Sequence, residues 1–231
     1  MTKLLSSLTQ NKKVNTVIFL LILFLAIIFF GYYFFSSDPG NQVNSNDDID
    51  DYVEEFNVSE GDKSELEILL NALEQNQNNP DLFLKLGSLK KNAGDYLGAE
   101  EAWLKAVELR PLGSIAFGNL ADLYTNFLQD SDKATSAYES VLENTQGEPK
   151  NIFYYRNYFD FALFNLEDKE KAVAVMLDGI ANNPGNSELP AVLAGFYRDE
   201  GNITKAIQYF QLALDLDPND DLVAAELEKL Q

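Results

Sequence analysis

The chain contains no cysteine and no histidine. Without cysteine there is no disulfide framework, no thiolate nucleophile and no cysteine-ligated zinc. Without histidine the commonest general base and metal ligand is missing, and with it the usual switch between pH 5 and 8. Basic side chains are scarce. The 17 Lys and Arg stand against 37 Asp and Glu, a formal net charge of −20, and the sequence pI is about 4.2. Nucleic-acid binding needs clustered Lys and Arg, so this balance excludes that class. There is also no Gly-rich phosphate loop and no nucleophile elbow. What is present is 231 residues, 46% of them hydrophobic and 23% charged, which is too apolar for a disordered chain. The composition describes a folded, acidic, non-enzymatic protein of one or two units.

The charge is unevenly spread. Residues 1–35 hold Lys3, Lys12 and Lys13 and no acid, so that segment carries +3 and the remainder −23. The run 14–35, VNTVIFLLILFLAIIFFGYYFF, has 22 residues without a charge. As a helix it spans about 33 Å, matching a hydrocarbon core of roughly 30 Å. Tyr32 and Tyr33 stand at one end, where amphipathic rings prefer the interface. A signal peptide would have a shorter apolar region and a small-x-small cleavage site, and Phe34-Phe35-Ser36-Ser37-Asp38-Pro39 offers none. The expectation is an uncleaved single-pass anchor. Lysines before the run and none soon after it predict a cytoplasmic N-terminus and an exported C-terminal bulk, periplasmic or extracellular. Residues 36–63 read as an acidic flexible linker, with nine acids against one lysine. At 28 residues it spans roughly 30 Å root-mean-square.

From Ser64 onward the chain is helical by pattern and self-similar at a period in the mid-thirties. The clearest unit is 80–111. Leu82, Phe83, Leu86, Gly87 and Leu89 form one apolar face, and Ala99, Trp103, Ala106 and Val107 form a second. Between them lies Asn92-Ala93-Gly94-Asp95, a turn in which Gly supplies the positive φ, and Pro111 closes the unit. The unit 187–218 repeats the pattern with Leu193, Ala194, Tyr197, Gly201, Ala206, Phe210, Ala213 and Pro218. The units 114–150 and 151–184 are looser. Each has an insertion in its turn, and the second has Gly179 where Ala is expected. Ala99, Ala134, Ala172 and Ala206 lie 35, 38 and 34 residues apart, a small residue recurring where two helices approach closely. A half unit at 64–79 and a capping helix at 219–231 bracket the four.

These units resemble the tetratricopeptide repeat family, a 34-residue helix–turn–helix motif. Phe83, Leu86, Gly87, Ala99, Trp103, Ala106 and Pro111 fill the places of its pattern, and Lys90 stands where Tyr is usual. The resemblance covers about 165 residues and implies an all-α fold. That fold is a right-handed superhelical solenoid, preceded here by one transmembrane helix. It also implies that the first helix of each repeat lines a concave groove. The groove-facing candidates are Lys85, Asn119, Asp122, Asn126, Arg156, Asn157, Asp160 and Arg198. They are mixed polar groups, unlike the basic clamp with which some members hold acidic C-termini.

The segment 152–164, IFYYRNYFDFALF, holds seven aromatic residues in 13, more than one helix face can bury; it reads either as core and inter-repeat packing, the favoured reading, or as an aromatic binding patch with Arg156 as its anchor. Arg156 and Asp160 are spaced for an i, i+4 pair on the groove side. Asp215, Asp217, Asn219 and Glu226 fall at the spacing of a calcium loop, but Asp220 replaces the required Gly and the metal is rejected. No catalytic, cofactor or metal residues are assigned, and no small-molecule substrate is expected. The function expected is a membrane-anchored scaffold or assembly adaptor that binds a protein or peptide partner. A narrower alternative is an envelope assembly factor of the cytochrome c maturation type. From other classes, a carboxylate-dependent hydrolase and an inert spacer stay open.

Overall fold

A computed structural model describes residues 46–148 and 151–231. The expected anchor at 14–35 lies outside the described residues, as does the linker from 36 to 45. Among the described residues, no helix is long and apolar enough to cross a membrane. The first unit is described only through α1 (Asn46–Glu55), and Phe56–Gln231 forms a second unit.

The spacer expected to run to residue 63 is in part helical. Ile49, Tyr52, Val53 and Phe56 recur at the helical spacing of three and four. In α1 that short apolar period outweighs the charge repulsion that favours an extended chain. Helix α2 (Glu60–Gln75) starts four residues before the expected Ser64, because Ser59 caps it by accepting from the Asp62 amide (3.2 Å).

Four helical hairpins follow. They are α3 (Pro80–Ala93) with α4 (Tyr96–Leu109), then α5 (Ser114–Leu123) with α6 (Ser131–Asn144). The others are α7 (Asn151–Phe164) with α8 (Lys169–Asn182) and α9 (Glu188–Asp199) with α10 (Ile203–Leu216). Each hairpin packs on the next, α2 packs on α3, and α11 (Asp221–Glu228) packs on α10. No strand occurs among the described residues.

One register recurs in all four hairpins. Ala99, Ala134, Ala172 and Ala206 are fully buried at the crossing of the two helices. Four residues before each alanine stands an Asp or Asn that caps the second helix. Asp95, Asp130, Asp168 and Asn202 accept from the amides of Gly98, Lys133, Lys171 and Lys205 at 2.8 to 3.2 Å. The residue just before each cap is left-handed: Gly94, Gln129, Glu167 and Gly201, with φ of 89°, 54°, 53° and 74°. Hairpins two and three therefore hold non-glycine residues in the αL region. In the second, a π-helical turn at Tyr124–Leu128 absorbs the inserted residue.

Successive second helices are tied by a recurring cluster. Glu100 accepts from Tyr124 Oη (2.7 Å) and Lys133 Nζ (2.8 Å), and that ammonium lies 5.3 Å from the Tyr124 ring centroid. One repeat on, Glu139 accepts from Tyr158 Oη and Lys171 Nζ, both at 3.1 Å. In the last hairpin Lys205 lies 4.6 Å over the Tyr197 ring.

Candidate partner-binding groove

The eight candidate residues do not form one continuous surface. Asp122 on α5, Asn126 in the π-helical turn, and Asn157 and Asp160 on α7 meet in a cleft of about 280 Å³. Tyr154 and Phe164 line it as well. Arg156 and Arg198 belong instead to a second cleft of about 420 Å³, with Glu188, Val192, Leu222 and Glu226. Lys85 is exposed on α3 and Asn119 half-buried on α5, and neither lines these two clefts.

In the first cleft the two carboxylates have different surroundings. Asp122 accepts from Lys91 on the preceding hairpin and from Asn126 Nδ2 (2.8 Å). The same lysine lies 4.7 Å over the Phe127 ring. Asp160 accepts no hydrogen bond from any described residue. Burial pushes its carboxyl up, and the positive charge of Arg156 only partly offsets this. Burial also raises the Tyr138 hydroxyl at the back of the cleft, and the charges of Asp122 and Asp160 add to that effect.

The pair expected between Arg156 and Asp160 is not the one formed. Arg156 Nη1 donates to Glu188 at 2.5 Å, in the first turn of the next hairpin. There the carboxylate also faces the positive end of the α9 dipole. Arg198 is held likewise, by Glu226 on α11 and by Asp199 (2.9 Å). Both guanidiniums are already neutralised by this chain's own acids, so neither offers an uncompensated anchor for an anion.

The aromatic segment divides in the way its helical period requires. Tyr155, Tyr158, Phe159 and Phe161 are buried, and Tyr158 stacks on Tyr138 at 5.0 Å and 6°. Phe153 and Phe164 stay outside, 60% and 70% exposed. Tyr154 lies over Gly118, whose added Cβ would stand 2.7 Å from the ring. Phe164, Asn165 and Thr125 line the first cleft although the repeat pattern did not select them. Their signal in the sequence was the pair of turn insertions, which place extra residues beside each other on adjacent hairpins. Among the described residues no three potential metal-ligating side chains converge. In the rejected calcium loop, Asp220 is spent capping α11, accepting from the Leu222 and Val223 amides at 3.0 Å each.

Models of the tetratricopeptide repeat match residues 84–149 and 191–220. Among solved structures, the chain is similar to MamA from Desulfovibrio magneticus RS-1, residues 41 to the end. There the identity is 19%, 70% of this chain and 89% of that one are covered, and the TM-score is 0.51. It is similar to another MamA structure at 19% identity, covering 76% and 96%, with a TM-score of 0.51. A search of the curated proteins gave no match. Residues 84–149 and 191–220 thus match tetratricopeptide repeats, and from α2 onward the described part of the chain has the all-helical solenoid fold of such repeats.

Proposed function

We propose that this protein is a membrane-anchored adaptor that holds a partner protein against the first helices of its repeats, on the exported side of the membrane. Repeats of this kind bind protein or peptide partners. The observation that carries the reading is the first cleft. Four polar side chains from two successive hairpins converge there beside an exposed Phe164, where a monomer gains nothing by leaving a large ring in water. The anchor and the orientation rest on the uncharged run 14–35 and the three lysines before it.

Two experiments test the reading. A photoreactive residue placed at Phe164 or Leu222 of the full chain, in native membranes, should crosslink to one protein in stoichiometric yield. Absence of a product at both positions overturns the adaptor. Protease added outside intact cells or spheroplasts should cleave the repeats, and full protection overturns the orientation.

A further inference from the structure

Asp160 stands out among the groups in the two clefts. In the second cleft Arg156 faces Glu188 and Arg198 faces Glu226, so the charges there are matched within the chain. In the first, Asp122 is matched by Lys91. Asp160 is exposed at the cleft, accepts no hydrogen bond from a described residue, and shares the cleft with no Lys or Arg. A carboxylate without a partner in its own cleft is matched by a cation that supplies both charge and N–H donors.

The rest of the lining narrows the kind of cation. Asn157 and Asn165 line the same cleft and carry amide groups that can accept, and the Phe164 and Tyr154 rings line it as well. A compact ammonium uses one acceptor and keeps its hydration. A planar guanidinium can donate to the carboxylate and an amide oxygen together while stacking on a ring. Resting on the adaptor reading above, we infer that this cleft is the subsite for an arginine side chain of the partner protein, with Asp160 as its counter-ion and Phe164 as its stacking face. The partner segment is therefore basic, opposite in sign to the acidic C-termini held by basic clamps in other repeat proteins. It is also complementary to a chain that carries −23 beyond residue 35.

The test uses the full chain in detergent and a nine-residue peptide of Gly, Ser and Asn with one central arginine. Its control replaces that arginine by citrulline, which keeps the shape and loses the charge. The arginine peptide should bind at least about tenfold more tightly. Asp160→Asn should remove most of that difference, and Asp160→Lys should abolish binding with the circular dichroism spectrum unchanged. Equal binding of the two peptides, or no binding of either at millimolar concentration, overturns the subsite. The crosslink at Phe164 separates this outcome from failure of the adaptor itself. A captured segment with arginine within about two residues of the crosslink supports the inference. A captured segment without one overturns the inference and leaves the adaptor standing.

Discussion

Gly87 has no side chain because Trp103 occupies the room. A Cβ there would lie 2.5 Å from Trp103 Nε1, which donates to the Leu84 carbonyl at 3.1 Å and is held in place by it. Gly87→Ala should therefore destabilise the protein by about 1–3 kcal/mol, read as a lower urea midpoint with an unchanged m-value. Gly179, which departs from the repeat pattern, has a similar cause: an added Cβ would come within 2.9 Å of the buried Tyr155 ring. Tyr155 is fixed in turn by donating to Asp178 (2.6 Å), and burial pushes its hydroxyl up to about 12. Asp160 is the opposite case, a carboxyl at the cleft whose folded surroundings disfavour its charge. Its folded carboxyl lies above its unfolded value, so ionisation costs stability above the folded pKa, and that cost disappears below the unfolded one. Asp160→Asn should raise the melting temperature near pH 7 by an amount equivalent to about 0.5 kcal/mol, kept small by solvent screening. The difference should close as the pH falls towards about 4. A gap that widens on acidification would contradict the raised carboxyl. A stability cost retained at a cleft is what a binding role predicts.

At the scale of the helices, the register could be read directly and the clefts could not. The alanines at the crossings, the glycine turns and the closing prolines are local signals, and each keeps its spacing within a single hairpin. The caps belong with them, since an Asp or Asn precedes every key alanine by four residues. The clefts depend on pairs between hairpins. Arg156 reaches Glu188 across 32 residues, whereas spacing along one helix pointed to Asp160. Lys90 shows the same limit. It replaces the usual Tyr and pairs with Asp95 at 3.2 Å, while Gly98 stands where the other hairpins carry Lys133, Lys171 and Lys205. A Cβ on Gly98 would meet Lys90 Nζ at 2.6 Å. The α1 helix is hidden for a different reason: it is only ten residues long and its few apolar residues are embedded in acids. The two non-glycine αL positions give a prediction at this scale. Gln129→Gly and Glu167→Gly should each stabilise by about 0.5–1 kcal/mol. The relief of αL strain exceeds the added freedom of glycine in the unfolded chain. Thermal or urea unfolding measures it, and destabilisation by both would show that the φ values are not strained. The π-helical turn should persist in Gln129→Gly, because the insertion remains.

At the scale of the whole molecule, two electrostatic effects of opposite sign compete. Ion pairs cross from hairpin to hairpin, among them Lys133–Glu100, Lys171–Glu139, Lys169–Glu200 and Arg156–Glu188, and added salt weakens each of them. Against them stands the repeat region itself, where residues 64–231 carry 28 acids and 13 bases, a net −15, whose self-repulsion is relieved by the same salt. Magnitudes decide between the two. Exposed pairs contribute about 0–1 kcal/mol each, and half or more of many of these side chains faces water. The repulsion involves more than twice as many acids as bases, distributed along a solenoid whose repeats touch only their neighbours, so it acts at every interface at once. The net effect of salt should therefore be stabilising. Raising NaCl from about 0.02 M to about 0.3 M shortens the Debye length from roughly 20 Å to below 8 Å, less than the width of one hairpin. The unfolding midpoint should rise over that range and then level off. A midpoint that falls would mean the inter-repeat pairs dominate, and Lys133→Gln with Lys171→Gln would then remove the salt dependence. Binding should move the other way. If an arginine enters the Asp160 cleft, salt screens the attraction that brings it there, so the same titration that stabilises the free chain should weaken its complex.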